Sequence, residues 1–458
     1  MADSHPPLPR DTASLCPVCL QRLPARRVVT GEKVEMVKEC PEHGEFRALL
    51  WQGPPDLAGW NRPKLPSRPP VCFGESERGC PFDCGLCPEH GQHSCSALIE
   101  VTSRCNLRCP VCFADSATEE ESDPSLDSLG HLLRLAREAC GENIVLQLSG
   151  GEPTVRDDLP DIIRLARECG FSSIQLNSNG LRLAAEGQYA QALREAGLTW
   201  VYLQFDGTRD EIYRRLRGRE LLAEKLRAVE NCAAAGLGIV LVPTLVPGIN
   251  DDDIGNLLRL GLAHAPHVRG VHFQPISYFG RFPQAPGDEH RLTLPHLLRA
   301  IEEQTSGLMR LEHFAPPGCE HSHCSCHGNF LVQDDGSLKP LTKPDSVCCS
   351  KPKPAEEGAR LSTAFLTRQW AAPSSAALPR PPAASGCGCA GNSLDDFLER
   401  VRTHTFAVSA MAFQDCWNID LERTRNCCIH VVTPQGRLVP FCLYNLTSAS
   451  GAPLYRGK

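Results

Sequence analysis

The residues best suited to chemistry are cysteines, and they fall in clumps. Cys105, Cys109 and Cys112 share one short loop at spacings of four and three. Three thiolates so placed can hold three irons of a cubane 4Fe–4S cluster, leaving the fourth iron as an open Lewis-acid corner for a chelating molecule. A zinc ion with a distant fourth ligand is the alternative on spacing alone. The same spacing recurs at Cys80, Cys84 and Cys87, with Cys95 following as a fourth thiolate. A fully ligated auxiliary 4Fe–4S cluster is expected there, with Cys72 as a spare ligand and a zinc knuckle as the alternative. Nearer the start, Cys16-Pro-Val-Cys19 and Cys40-Pro-Glu-His43 form a four-coordinate set. The histidine ligand and the lack of an open position favour structural zinc, with rubredoxin-type iron as the alternative. Towards the end, Cys427, Cys428 and Cys442 follow Cys319, Cys324 and Cys326, which lie among His321, His323 and His327. A second auxiliary cluster is expected from Cys427, Cys428 and Cys442 with Cys324 or Cys319, although neighbouring cysteines seldom both reach one cubane.

Composition supports metal binding over disulfides. The 458 residues include 25 cysteines, an odd number, and the opening MADSHPPLPR lacks the apolar stretch of an export signal. Cys140, Cys169 and Cys232 each end an amphipathic stretch and are expected to be small buried hydrophobes. With 41% hydrophobic and 22% charged residues the chain can bury a full core. A net charge of −7 gives nucleic-acid binding no electrostatic support. No apolar run reaches the ~18–20 residues that cross a bilayer. A soluble cytoplasmic protein is expected, with room for peripheral contact with a membrane.

The elements that must position these residues are legible in the middle of the chain. Short β-branched runs at 97–101, 144–148, 173–176, 200–205, 238–243 and 270–274 alternate with helical patterns at 126–136, 159–169, 184–196, 221–235 and 251–264. Six strand–helix units predict parallel strands with helical crossovers. The expected fold class is α/β, a partial (β/α)6 TIM-type barrel left open. The expected organisation is a zinc-ribbon or rubredoxin-like module over 1–60, an auxiliary-cluster segment over 61–97, the barrel over 98–310, and an irregular cysteine-rich region over 311–458. Within the last, 371–385 reads as a flexible linker, and the Gly-Cys-Gly-Cys run at 386–389 reads equally as a metal site or an unliganded tip.

In parallel α/β barrels the site forms at the C-terminal strand ends. The first expected strand runs into the Cys105 loop. The second ends in Gly150-Gly151-Glu152-Pro153, where glycines permit close backbone approach and a carboxylate suits an ammonium group. The third ends in Asn177-Ser178-Asn179, whose amides suit ribose hydroxyls; the fourth carries Asp206, the fifth an apolar loop with Val246 and Gly248, and the sixth Gln274.

This C-x3-C-x2-C loop, followed by the Gly-Gly-Glu loop, resembles the radical S-adenosylmethionine (SAM) enzymes over about residues 97–300. The resemblance implies that Cys105, Cys109 and Cys112 ligate a 4Fe–4S cluster whose free iron is chelated by the methionine amino and carboxylate groups. It further implies that 150–153 meets the methionyl amino group, Asn179 the ribose and 246–249 the adenine. Val111 stands where that family often has an aromatic residue, with Phe113 just after. Segments 39–44, 79–90, 98–105, 418–422, 427–430 and 440–442 resemble, more narrowly, the tetraether lipid synthase group. That likeness implies carbon–carbon coupling of lipid alkyl chains at unactivated carbons, one or two auxiliary clusters that handle electrons, and a donor such as flavodoxin or ferredoxin. Related members methylate a pterin-type cofactor, so a radical methylase acting on a pterin or other small molecule, or a peptide maturase, stands as the alternative. The lipid reading predicts a long apolar tunnel to the barrel mouth, and the methylase reading a polar cleft.

Overall fold

The computed structural model describes residues 10–72, 76–116, 122–282, 285–342, 352–373 and 394–457. The run at 386–389 and all but the first three residues of 371–385 lie outside them.

The chain opens with an antiparallel meander, β1 (Asp11–Leu15), β2 (Arg22–Thr30), β3 (Lys33–Cys40) and β4 (Gly44–Gln52). A short strand, β5 (Lys64–Leu65), follows. The parallel strands are β6 (Ser96–Thr102), β7 (Val145–Gly150), β8 (Ser173–Ser178), β9 (Trp200–Gln204), β10 (Gly238–Val242) and β12 (Val268–Pro275), with β11 (Thr244–Leu245) beside the last. The helices of the crossovers are α1 (Leu126–Cys140), α2 (Leu159–Glu168), α3 (Leu181–Ala185), α4 (Gly187–Ala196), α5 (Asp210–Arg217), α6 (Leu222–Ala234) and α7 (Ile254–Ala263), and α8 (Leu294–Gln304) follows β12. The helical periodicity has a direct physical outcome. Helix α1 starts where the Ser125 hydroxyl accepts the Ser128 amide, and it buries Leu129, Leu132, Leu133 and Ala136. Strand β10 is buried along its whole length, as a central parallel strand must be.

The six expected strands are present, but the region after 310 is not irregular. It contributes β13 (Ser325–Val332), β14 (Leu338–Pro340), β15 (Lys353–Pro354), α9 (Ala355–Trp370), α10 (Leu394–Thr403), β16 (Thr405–Met411), α11 (Leu421–Arg425), β17 (Ile429–Val432), β18 (Leu438–Pro440) and α12 (Phe441–Asn445). Strand β16 joins parallel to β12 and β17 joins parallel to β6. The sheet order is β14-β13-β16-β12-β10-β9-β8-β7-β6-β17-β18, so eight contiguous parallel strands run from β17 to β16. Among the described residues the curl is not closed by pairing: β13 and β18 flank it antiparallel. A bare six-stranded sheet would leave two rows of unpaired backbone groups, and the C-terminal strands cover both. Helix α9 stops the N-terminal end. A Cβ on Gly238 would lie 1.9 Å from the Trp370 carbonyl oxygen, so glycine there admits the helix end.

Candidate active site and metal centres

The loop after β6 and the loop after β7 interlock. Gly151 N donates to Thr102 O (2.8 Å) and Glu152 N to Arg104 O (2.9 Å). A Cβ on Gly150 would lie 2.1 Å from the Thr102 oxygen, and one on Gly151 2.1 Å from the Arg104 oxygen. The glycines therefore admit the cysteine loop itself, not only a ligand. Glu152 is buried, and its Oε1 accepts the Thr154 amide (3.2 Å), the Thr154 hydroxyl (2.6 Å) and the Ser178 hydroxyl (2.7 Å), while Oε2 accepts the Asn179 amide (2.6 Å). The carboxylate thus ties the second strand end to the third. Asn179 in turn donates to Asn106 Oδ1 in the cysteine loop (2.7 Å).

A second brace comes from the fourth strand end. Asp206 is fully buried, and both its oxygens pair with the Arg217 fork at 2.7 Å. Arg217 also donates to Val111 O (3.0 Å) and Thr244 Oγ1 (3.1 Å), and its guanidinium faces the Cys109 sulfur. Lys225 donates to Gln204 Oε1 (2.9 Å) and to Asn179 O; burial brings it down to about 8. Arg281 holds Cys109 O at 2.8 Å and pairs in an antiparallel bridge with Cys112. Arg217, Lys225 and Arg281 have no counterpart in the sequence reading. The first two sit on α5 and α6 among surface-type residues, and only the tertiary fold turns them inward.

The three loop cysteines border a cavity of about 960 Å³ that runs along the barrel interior. Gly150, Gly151, Glu152, Asn177, Asn179 and Gln274 also line it; Pro153, Asp206, Val246 and Gly248 do not. Val246 is half-buried and Gly248 exposed on the loop after β11, where Val246 N donates to Asn250 Oδ1 (2.8 Å) and Gly248 N to Asp251 Oδ1 (2.8 Å). Phe113, beside the position that carries Val111, lines the cavity and packs on Phe441 at 5.8 Å. Burial pushes Cys105 up to about 12 and raises Cys109. Thiolates there need the positive charge that bound iron supplies, so the donor set fits a cluster.

The walls are largely apolar, with a row of polar side chains among them. Gln175 Nε2 donates to Asn177 Oδ1 (2.7 Å), Asn177 Nδ2 to Gln147 Oε1 (3.2 Å) and Gln147 Nε2 to Ser96 Oγ (2.6 Å). His272 Nδ1 meets Ser409 Oγ at 2.8 Å, and burial lowers it to about 4. Its ring lies 5.6 Å from that of Tyr202. The far end reaches Cys95, Lys64, Glu320 and the α9 residues Leu361 and Phe365.

Twelve of the other described cysteines sort into four groups. Cys16, Cys19, Cys40 and His43 place their ligand atoms within 4.8 Å of one another. Although burial opposes ionisation, hydrogen bonds from His43 and from the Glu42 and His43 backbone bring Cys40 down to about 6. Cys80, Cys84 and Cys87 remain neighbours, braced by the Tyr455 hydroxyl on Cys84 N (3.0 Å). Cys95 does not complete that set: it groups with Cys319 and Cys428, again within 4.8 Å. Cys427 interacts instead with Cys442 and Cys324, and Arg423 donates to Cys324 Sγ at 3.2 and 3.3 Å. The expectation of Cys427 and Cys428 in one cluster gives way because successive residues entering β17 project to opposite faces.

The sequence matches known families and relatives. Residues 99–261 match the sequence model of the radical SAM superfamily, and residues 8–52 that of the HMPTM N-terminal zinc ribbon domain. The chain is 35% identical to the 7,8-dihydro-6-hydroxymethylpterin dimethyltransferase of Methanocaldococcus jannaschii, over 95% of this chain and 93% of that one. It is 33% identical to the GTP 3′,8-cyclase of Paenarthrobacter nicotinovorans over 42% of this chain and 55% of the relative. Among solved structures, Streptococcus suis SuiB bound to the precursor peptide SuiA is 14% identical, with 47% of this chain and 46% of that chain covered at a TM-score of 0.40. The chain is an enzyme of the radical SAM superfamily.

Proposed function

We propose that this enzyme methylates a pterin-type heterocycle at a saturated carbon, one SAM taking up the substrate hydrogen as 5′-deoxyadenosine, a second giving its methyl group, and two electrons entering from the reductant. The reading rests on the archaeal relative matched over nearly all of both chains, a pterin dimethyltransferase by name. The cavity accommodates it: its walls are largely apolar, with Gln147, Gln175, Asn177, Tyr202 and His272 set among them to meet ring nitrogens and oxygens. Lipid coupling is the weaker reading. An alkyl chain threaded past those groups would strip them of water and offer no hydrogen bonds in return.

When bound, the cluster and SAM supply a 5′-deoxyadenosyl radical that removes hydrogen from a substrate carbon. The protein's own contribution is placement and enclosure. Cys105, Cys109 and Cys112 would hold the cluster, and the Glu152 and Asp206–Arg217 braces fix their loop. Buried Lys225 and Arg217 add positive charge beneath it. The barrel walls around the cavity limit the access of water and stray hydrogen donors. A proton-transfer dyad is not needed for that step. The Cys16–His43 set fits zinc, and three auxiliary sets of thiols, Cys80/84/87, Cys95/319/428 and Cys324/427/442, suit iron–sulfur clusters fed by a flavodoxin- or ferredoxin-type donor. The test is anaerobic reconstitution with strong reductant and 7,8-dihydro-6-hydroxymethylpterin deuterated at C7 and the hydroxymethyl carbon. Deuterium in 5′-deoxyadenosine is expected. Active SAM cleavage with no label transfer and no methylated pterin overturns the assignment.

A further inference from the structure

Barrel interiors are ordinarily packed with branched apolar side chains. Here Gln147, Asn177 and Gln175 form a hydrogen-bonded row on adjacent strands, facing open space. Each amide nitrogen uses one N–H in that row and keeps a second. Past the end of the row, Glu320 lines the cavity, its carboxyl met by backbone at Glu320 and Cys319 and by the charge of Lys64, but by no side-chain donor within hydrogen-bond reach among the described residues. Lys64, the nearby cation, spends its ammonium on the carbonyls of Cys319 (2.9 Å) and Glu320. The carboxylate also stands outside the Cys95–Cys319–Cys428 set, whose mutually close ligand atoms are thiols only. The backbone contacts leave the carboxylate further lone pairs, which a ligand's N–H groups can fill. Tyr202, on the same wall, lies within the electrostatic reach of Glu320, and its hydroxyl has no hydrogen-bond partner among the described residues.

We propose that Glu320 and the carboxamide row recognise a flat heterocycle through a 2-amino-lactam edge, an exocyclic amino group beside a ring N–H. A carboxylate accepts both donors of such an edge at once, as it accepts an arginine fork. The carboxamides then meet the ring carbonyl and nitrogens, and Tyr202 offers a face or a donor. The edge sits at the N-terminal end of the barrel, so the opposite side of the ring faces the Cys105 loop. The seven residues of β6 separate those ends by roughly 20 Å along the tilted strand, room for an adenosyl group and a bicyclic ring in line. This inference rests on the pterin reading and adds the orientation and the residue that selects the ring.

The test titrates the reconstituted enzyme anaerobically with two matched pairs: 6-hydroxymethyl-7,8-dihydropterin and its 2-oxo counterpart, and guanosine and xanthosine. The wild type is expected to prefer the 2-amino member by roughly tenfold to hundredfold, the worth of hydrogen bonds to a charged group. Glu320→Gln is expected to lose that preference. Gln147→Leu is expected to weaken both members of a pair about equally. Iron and zinc contents check folding; should Glu320→Gln fail to load metal, Glu320→Asp replaces it, with a reduced preference expected. Equal dihydropterin binding by wild type and Glu320→Gln overturns the role of Glu320 and leaves the pterin reading standing. A Glu320-dependent preference for guanosine without dihydropterin binding overturns the pterin reading and keeps the edge recognition. Binding of no 2-amino probe overturns both.

Discussion

Glu152 accepts four hydrogen bonds from three residues on two strand ends. Its carboxylate was expected to meet an ammonium group, and its surroundings show a structural duty that precedes any ligand. Sequence reading identified the position but not the duty, because Thr154, Ser178 and Asn179 converge on it only in the fold. The two preceding glycines carry a sharp prediction. Gly151→Ala places a Cβ where the Arg104 carbonyl oxygen stands and must displace the cysteine loop. Reductant-dependent 5′-deoxyadenosine formation should fall about a hundredfold, the scale of a 1 Å misplacement, while zinc content stays at the wild-type level. His272 gives a second prediction. Burial lowers it from 6.5 to about 4, so the unfolded chain takes up this proton first as pH falls. The contribution is whole above pH 6.5 and declines at about 1.4 kcal/mol per pH unit towards pH 4, then levels. Urea titrations of wild type and His272→Gln across that range should differ by that slope; parallel curves would refute it.

At the scale of elements, the six parallel strands and most crossover helices were legible because their apolar periodicity is local. Strands β16 and β17 were not. Strand β17 is only four residues long and follows two cysteines, and its pairing with β6 joins positions more than three hundred residues apart. The cysteine sets divide in the same way. Cys16 to His43 was legible because its hairpins are local, whereas Cys95 with Cys319 and Cys428 is a product of the sheet order. Helix α5 is absent from the sequence-based assignment for a different reason: it is a short segment rich in arginine with few apolar positions, yet Arg217 is buried against Asp206. Arg217→Lys keeps the charge but cannot reproduce the fork, the Val111 contact and the Thr244 contact together. It should cost about 2 kcal/mol of stability and lower SAM cleavage at least roughly tenfold. Thermal melts and deoxyadenosine assays check the two effects separately.

For the molecule as a whole, the N-terminal ribbon is fastened to the C-terminal segment. Arg27 pairs with Asp420 (2.7 Å) and with Glu422, Ser14 donates to Ile419 O (2.5 Å), and Lys38 donates to Cys416 O (2.8 Å). The segment so held leads into α11, whose Arg423 donates to the Cys324 sulfur. Removing zinc should therefore loosen more than the ribbon. With a zinc-selective chelator, amide hydrogen exchange is expected to rise in 415–425 as well as in 11–52; acceleration confined to the ribbon would show that the two are uncoupled.

The placement of Cys95 beside Cys319 and Cys428 bears on how the protein is made. A ribosome has to translate past residue 428 before this thiol trio can come together. Until then Cys95 waits without its companions, and so does the edge of β6 that β17 will cover. If this set takes an iron–sulfur cluster, its delivery is a late event in biogenesis, and prematurely terminated chains should accumulate as oxidisable, metal-poor products even where the zinc ribbon has already formed.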